Sequence, residues 1–406
     1  MELRLILSCL RASVGQKDGG QIRALCLRAI DWDSFINLVD RHRVPVPVYQ
    51  NLNRYAENSI PELALTRLKN RSHRNTQRVL AKTAELVRIA KLFEQKGIPV
   101  LPLKGPVLAL QFYDDLGSRH VGDLDIMVPP ESVEKAEDIL DQQGYKRAHP
   151  DFHLTQKQHS VYVRNNHHFG YFCRDRGIRV ELHWRFGSNR YLFPLRFNDL
   201  WRDQQTVRVG GADIATLSLE HTILFVCAHG AGHAWFRLFW LNDVARILIK
   251  NDSVDWDKLI RQAGQSGISR MVAEGVVLAG LLLGSPLPEP VRVFAEQDRC
   301  VYRLARTALY LINNVGVSPH KPFTRPYYYS KFHQSILQSN PLYKLAFSAN
   351  LIGAQYGDWN RVPLPDALFP LYYLVRPVTW FSRWYVRGTK AYNRGPMDRG
   401  KNGVRR

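Results

Sequence analysis

The chain has 406 residues, 45% of them hydrophobic, and carries 56 Lys and Arg against 36 Asp and Glu, a formal charge of +20. That length allows two or three regions with cores of their own, and the charge points to anionic partners such as nucleotides, RNA, acidic glycans or an anionic membrane surface. Five scattered cysteines (Cys9, Cys26, Cys173, Cys227, Cys300) exclude a disulfide scaffold and a zinc knuckle, the charge-broken start excludes a secretory signal, and no run of about 18 apolar residues is present to span a bilayer; a cytoplasmic protein is expected.

Residues 1–96 read as a helical region. Trp32, Phe35, Ile36 and Val39 recur at helical spacing after Asp31, a candidate N-cap, and Pro45 and Pro47 interrupt the pattern. A longer helix is expected from Pro61 towards Lys96, carrying Arg67, Lys69, Arg71, Arg74, Arg78, Lys82 and Arg88. These cations form either a solvated face or a basic wall along the entrance for a polyanion.

Residues 97–215 read as a mixed α/β core. Val100 to Leu103 is a short buried strand, Lys104-Gly105 a sharp corner, and Pro106 the first residue of a helix, where its missing N–H costs nothing. A corner of this kind suits phosphate. Arg119 follows in a loop, placed either to contact phosphate or to pair with a nearby acid.

From Asp123 to Val128 apolar Leu124, Ile126 and Val128 alternate with two aspartates, the period of a half-buried strand, so Asp123 and Asp125 share a face. Paired carboxylates repel one another unless a pKa rises or a cation binds. Mg²⁺, which takes carboxylates together with substrate phosphates, fits. Glu131 to Gln143 reads as a helix stopped by Gly144. Three β-like runs follow, Ser160 to Arg164, His168 to Cys173 and Ile178 to Arg185, the last two joined by a turn at Arg174-Asp175-Arg176-Gly177.

In the last run Glu181 and His183 share the polar face, and Glu181 is the candidate third acid. His167, His168 and His183 match no zinc spacing, and His183 is read as a residue that backs the ligands or stacks on a base. Four or five strands with helices on one side make an α+β arrangement.

Residues 216–392 turn helical again. His221 to Lys250 forms an apolar helix pair with His229 and His233 four apart; Gly230 stands where a zinc protease has Glu, so both are read as structural or substrate-lining. Asp243 is read first as a helix cap and second as a group facing the site. Val272 to Leu283 is a further helix. The aromatic, basic stretch Leu371 to Arg387 either packs on the helices or lies in a membrane interface, and residues 393–406 form a disordered basic tail.

The series Leu103-Lys104-Gly105, Tyr113, Arg119, Asp123-x-Asp125, Gly144-Tyr145 and Val180-Glu181-Leu182-His183-Trp184 resembles the uncharacterised nucleotidyltransferase family of bacteria, a branch of the DNA polymerase beta-like nucleotidyltransferase superfamily. The resemblance implies a small mixed nucleotidyltransferase-type sheet flanked by helical regions, a two-ion Mg²⁺ site on Asp123, Asp125 and Glu181, and a triphosphate held at Lys104 and Gly105 with Arg119 and His183 as further nucleotide contacts. Pro106 replaces the usual Ser or Gly, which leaves Lys104 to supply charge in place of a hydroxyl. The interval from Gly105 to Asp123 is long, closer to lincosamide-type and abortive-infection-type enzymes.

The implied reaction moves an NMP from an NTP to an acceptor, whether small molecule, sugar, protein or tRNA, with release of pyrophosphate. The alternative is a non-catalytic nucleotide- or RNA-binding protein, or one peripheral to a membrane in a surface-polysaccharide pathway. Acceptor choice lives in pocket shape and is not legible from motifs.

Overall fold

A computed structural model describes residues 1–379 apart from 14, 16, 17, 114, 190, 252, 253 and 315–317. Near the start of the chain, Asp31 caps the helix Trp32–His42 by accepting from the Ser34 N–H at 3.0 Å. Arg43, in the left-handed region at φ 57°, ends that helix, and Pro45 opens the next one, Pro45–Ala56. The long helix Glu62–Gln95 follows. Much of its basic stripe is engaged: Arg67 pairs with Asp33, Arg71 with Asp40, Arg88 with Glu85, and the Lys82 ammonium donates to the Val121 carbonyl at 2.6 Å.

The central sheet contains β1 (Leu101–Pro102), β2 (Leu124–Met127), β3 (Lys146–His149), β4 (His168–Cys173) and β5 (Ile178–His183), in the order β1-β2-β5-β4-β3. β2 and β5 run parallel; the other neighbours are antiparallel. Leu124, Ile126, Val180 and Leu182 pack into one core with Leu86, Ile89 and Phe93 of the long helix and with the helices Val133–Gln142 and Gln156–Asn165. Met127 and Leu101 belong to the other core, built from helices of both ends of the chain. The side chains of the second face of β2 and β5 therefore look towards that helical body. The expected α+β class with helical flanks is what the chain adopts.

One expectation fails locally, and one strand of the central sheet was not foreseen. Ser160 to Arg164 is helical, inside Gln156–Asn165, because Thr155 and Gln158 form a reciprocal capping box and Val161 and Tyr162 bury on one helical face. Its β-branched valines mimic a strand only in composition. β3 carries no apolar alternation, being an edge strand of polar, mostly half-buried side chains, and owes its place to pairing with β4.

A hairpin of β6 (Gln205–Val209) and β7 (Ala212–Thr216), turned by Gly210 and Gly211 at φ 55° and 84°, follows the core without having been foreseen. The helix pair Leu219–Gly232 and Leu238–Lys250 comes next, then Ser269–Leu283 ending on left-handed Gly284. Among the described residues no helix is long and apolar enough to cross a membrane. Of the stretch from Leu371 to Arg387, residues 380–387 lie outside the described residues, as do residues 393–406.

Candidate active site

The corner after β1 forms as the sequence requires. Gly105 sits at φ 82°, ψ −130°, a region essentially closed to residues with a Cβ, and Pro106 begins the helix Pro106–Phe112. At seven residues that helix gives only a weak dipole, so the positive charge at the corner is that of Lys104. Its ammonium lies 3.1 Å from Asp125 Oδ1 and donates to His229 Nε2 at 3.2 Å.

Parallel pairing of β2 with β5 sets Asp125 directly opposite Glu181. One ligating atom each from Asp125, Glu181 and His183 falls within 4.8 Å of the others, with His183 Nε2 at 3.4 Å from Asp125 and 3.5 Å from Glu181. Asp125 is 1% exposed and Glu181 31%, so the group opens to solvent on the Glu181 side.

Asp123 precedes the strand, which starts at Leu124, and stands outside that 4.8 Å group. It still shares the field: burial first, then the charges of Glu181 and Asp125, push its pKa up. Burial also works to raise Glu181, but His183, His168 and Lys104 outweigh it and hold Glu181 well below the usual carboxylate range. For His183 burial alone would lower the pKa, whereas the carboxylates of Asp125 and Glu181 draw it above its ordinary value.

Asp125 Oδ2 is buried with no hydrogen-bond partner, and an orphaned carboxylate oxygen beside two further acids is what a bound cation relieves. The donor set fits a divalent ion, with Asp125 and Glu181 as its nearest ligands and Asp123 at the edge.

Histidines crowd the same face. β4 and β5 place His168 opposite His183, and His167, His168 and His183 bring ligating atoms within 4.8 Å of one another. Sequence spacing concealed this group, since it is assembled across a hairpin. The His183 ring, stacked on His168 at 5.0 Å between centres and 6% exposed, is enclosed and not free to stack on a base. His229 holds Lys104, while His233 stacks on Trp240 with centres 4.8 Å apart.

Arg119 and Asp243 occupy neither of their first-expected places. Asp243 is interior to the helix Leu238–Lys250, not its cap, and both its oxygens accept from Arg119, at 2.8 and 2.7 Å. The Tyr113 hydroxyl donates to the same carboxylate at 2.6 Å. Arg119, 3% exposed, is thus committed to an ion pair, and a phosphate contact gives way to the pairing read as its alternative.

Two cavities flank the group. One of about 520 Å³ is lined by Asn166, His167, Ser188, His229, Gln334 and Trp359 among others. The second, about 370 Å³, is walled by Arg43, Arg71, Arg74, Asn75, Arg78 and His120. Asp123 acts electrostatically on Arg43, so this basic cavity lies towards Asp123. The sequence signal for it was the cation run on the long helix.

A model of the family described as uncharacterised nucleotidyltransferase matches residues 28–284, a stretch that includes the corner, the three acids, the histidine group and Asp243. No curated protein and no solved structure matches the chain.

Proposed function

The chain belongs to the uncharacterised nucleotidyltransferase family and is an enzyme of phosphorus-group transfer, and within that class we propose that it moves an NMP from an NTP to an acceptor hydroxyl or phosphate. The observation that carries this reading is the register Asp125 opposite Glu181, with Lys104 reaching the same carboxylate from a glycine corner. Mg²⁺ is the proposed ion, which Asp125 and Glu181 would hold with Asp123 at the edge; the chemistry it would supply there is Lewis-acid stabilisation of the charge that builds during in-line displacement.

The chain's own part is positional and electrostatic. Asp125 and Glu181, fixed by adjacent strands, present oxygens at one place, and Asp123 adds a third carboxylate on the side of the basic cavity. Lys104 neutralises charge at the corner, where Gly105 lets the backbone approach phosphate. The acceptor oxygen bonds to the α-phosphorus as the bond to the pyrophosphate oxygen breaks, and the acceptor's proton passes to water. Arg119 touches no substrate in this account; it holds the loop before Asp123 against the helix that carries Asp243.

The test is a pair of variants. Asp123→Asn with Asp125→Asn is expected to abolish NMP transfer with an unchanged far-ultraviolet dichroism spectrum. Glu181→Gln is expected to lower turnover at least a hundredfold while nucleotide still binds. Full activity in the double variant would remove the mechanism.

A further inference from the structure

We propose that His167, His168 and His183 form a second cation site, for a borderline transition-metal ion of the zinc class, with an open coordination position towards the 520 Å³ cavity. The site shares His183 with the acidic group, while its other two donors, His167 and His168, take no part in that group.

The geometry comes first. Three imidazoles around a tetrahedral ion at about 2.0–2.1 Å per nitrogen place their nitrogens roughly 3.3 Å apart and their ring centres about 5 Å apart. The ring centres here are 4.4 Å (His167 and His168), 5.0 Å (His168 and His183) and 5.6 Å (His167 and His183) apart. His167 Nε2 and His168 Nδ1 are 3.0 Å apart, and ligating atoms of all three lie within 4.8 Å.

Unmet hydrogen bonding comes second. His183 is 6% exposed, its Nδ1 is buried without a hydrogen-bond partner while its Nε2 faces the Asp125 and Glu181 carboxylates at 3.4 and 3.5 Å, and His167 Nδ1 is likewise buried and unpartnered. Native interiors seldom leave such groups unsatisfied; a metal ion would engage one nitrogen of each ring, and the Asp125 and Glu181 carboxylates stand where the other nitrogen of His183 would donate.

The donor chemistry decides the ion. An all-imidazole set suits zinc, cobalt, nickel or copper and is poor for Mg²⁺, which prefers oxygen. The scaffold is rigid: His168 and His183 are opposed across paired strands, and the Trp184 N–H donates to the His167 carbonyl at 3.1 Å. Three protein ligands with a fourth position open is the arrangement of reactive rather than purely structural sites. His167 itself lines the large cavity, which gives the open position access to that space.

The experiment uses the full chain, stripped with a chelator and titrated with Co²⁺ in excess Mg²⁺. One equivalent is expected to give the intense visible absorption of tetrahedral cobalt and to be displaced by one equivalent of Zn²⁺. His168→Ala and His167→Gln should each weaken binding at least tenfold. His168→Asn, the milder change, together with an unaltered melting curve, guards against misfolding. Asp123→Asn, which alters the acidic group but none of these ligands, should leave the cobalt spectrum in place. Absence of the tetrahedral spectrum in the native chain, or its persistence in a folded His167/His168 double variant, would overturn the site. Cobalt binding without NMP transfer would uphold it while counting against the transferase mechanism, so the two fail separately.

Discussion

Arg119 and Asp243, 124 residues apart, meet through two hydrogen bonds of 2.8 and 2.7 Å with both side chains at 5% exposure or less. The pair ties the loop before the acidic strand to the helix Leu238–Lys250, and Tyr113, itself bonded by Asn242 at 3.0 Å, closes the knot. Removing one member of a buried pair strands the other, which costs about 3–5 kcal/mol. Asp243→Asn is therefore expected to lower unfolding stability by roughly that amount. Urea titration checks it, and a loss below about 1 kcal/mol would show the pair to be dispensable. An Arg119→Met, Asp243→Leu double change should recover much of the loss.

Gly105 makes a second test of the corner. A Cβ built there meets only Val121 Cγ1, at 3.5 Å, so space is not the obstacle. The obstacle is φ 82° with ψ −130°, which costs a residue with a Cβ about 1–3 kcal/mol. Gly105→Ala is expected to lower the melting temperature and, by reshaping the corner, to weaken nucleotide binding. Unchanged affinity in a titration calorimeter would separate the corner from the triphosphate.

Trp235, fully buried, lies across two glycines of neighbouring helices, Gly230 and Gly275. A Cβ on Gly230 would stand 2.1 Å from the Trp235 ring, and one on Gly275 2.8 Å from it. Overpacking of this kind costs about 1–3 kcal/mol and sometimes more. Gly230→Ala should reach the top of that range in chemical denaturation, whereas Gly232→Ala, with nothing within 4 Å of the added atom, should cost much less.

Much of this was legible from residues alone. The capped helix after Asp31, the proline-opened helix at Pro106 and the strand bearing Asp125 follow from local rules of capping, φ restriction and period-2 burial, which act within a few residues. The rest depends on contacts distant in the chain. β3 has no buried face to advertise it, Asp243 meets Arg119 only once two regions have docked, and the three histidines converge because β4 and β5 pair. Asp123 shows the limit of a pattern that is locally sound: the alternation extends to it, but the ladder begins one residue later.

Acid sensitivity provides an independent check on two buried imidazoles outside the histidine group. Burial, with Arg41 and Arg237 nearby, pulls His42 down to about 3; burial with Arg43 and Lys82 does the same to His120. The unfolded chain binds these protons near pH 6.5 and the folded chain does not. Stability is thus complete above 6.5 and falls as pH drops from 6.5 towards 3, by about 1.4 kcal/mol per pH unit for each such group. Denaturation midpoints at pH 7 and pH 5 measure the loss, and His42→Gln should flatten the slope. A profile level across this window would contradict the buried, neutral state of these rings.

The most direct measurement incubates the purified chain with each α-labelled NTP, Mg²⁺ and a cell extract, then separates small molecules, RNA and protein. Label in an acceptor fraction, released pyrophosphate, and the loss of both with Asp125→Asn are the predicted result. Undiminished labelling by folded Asp125→Asn protein would contradict the account.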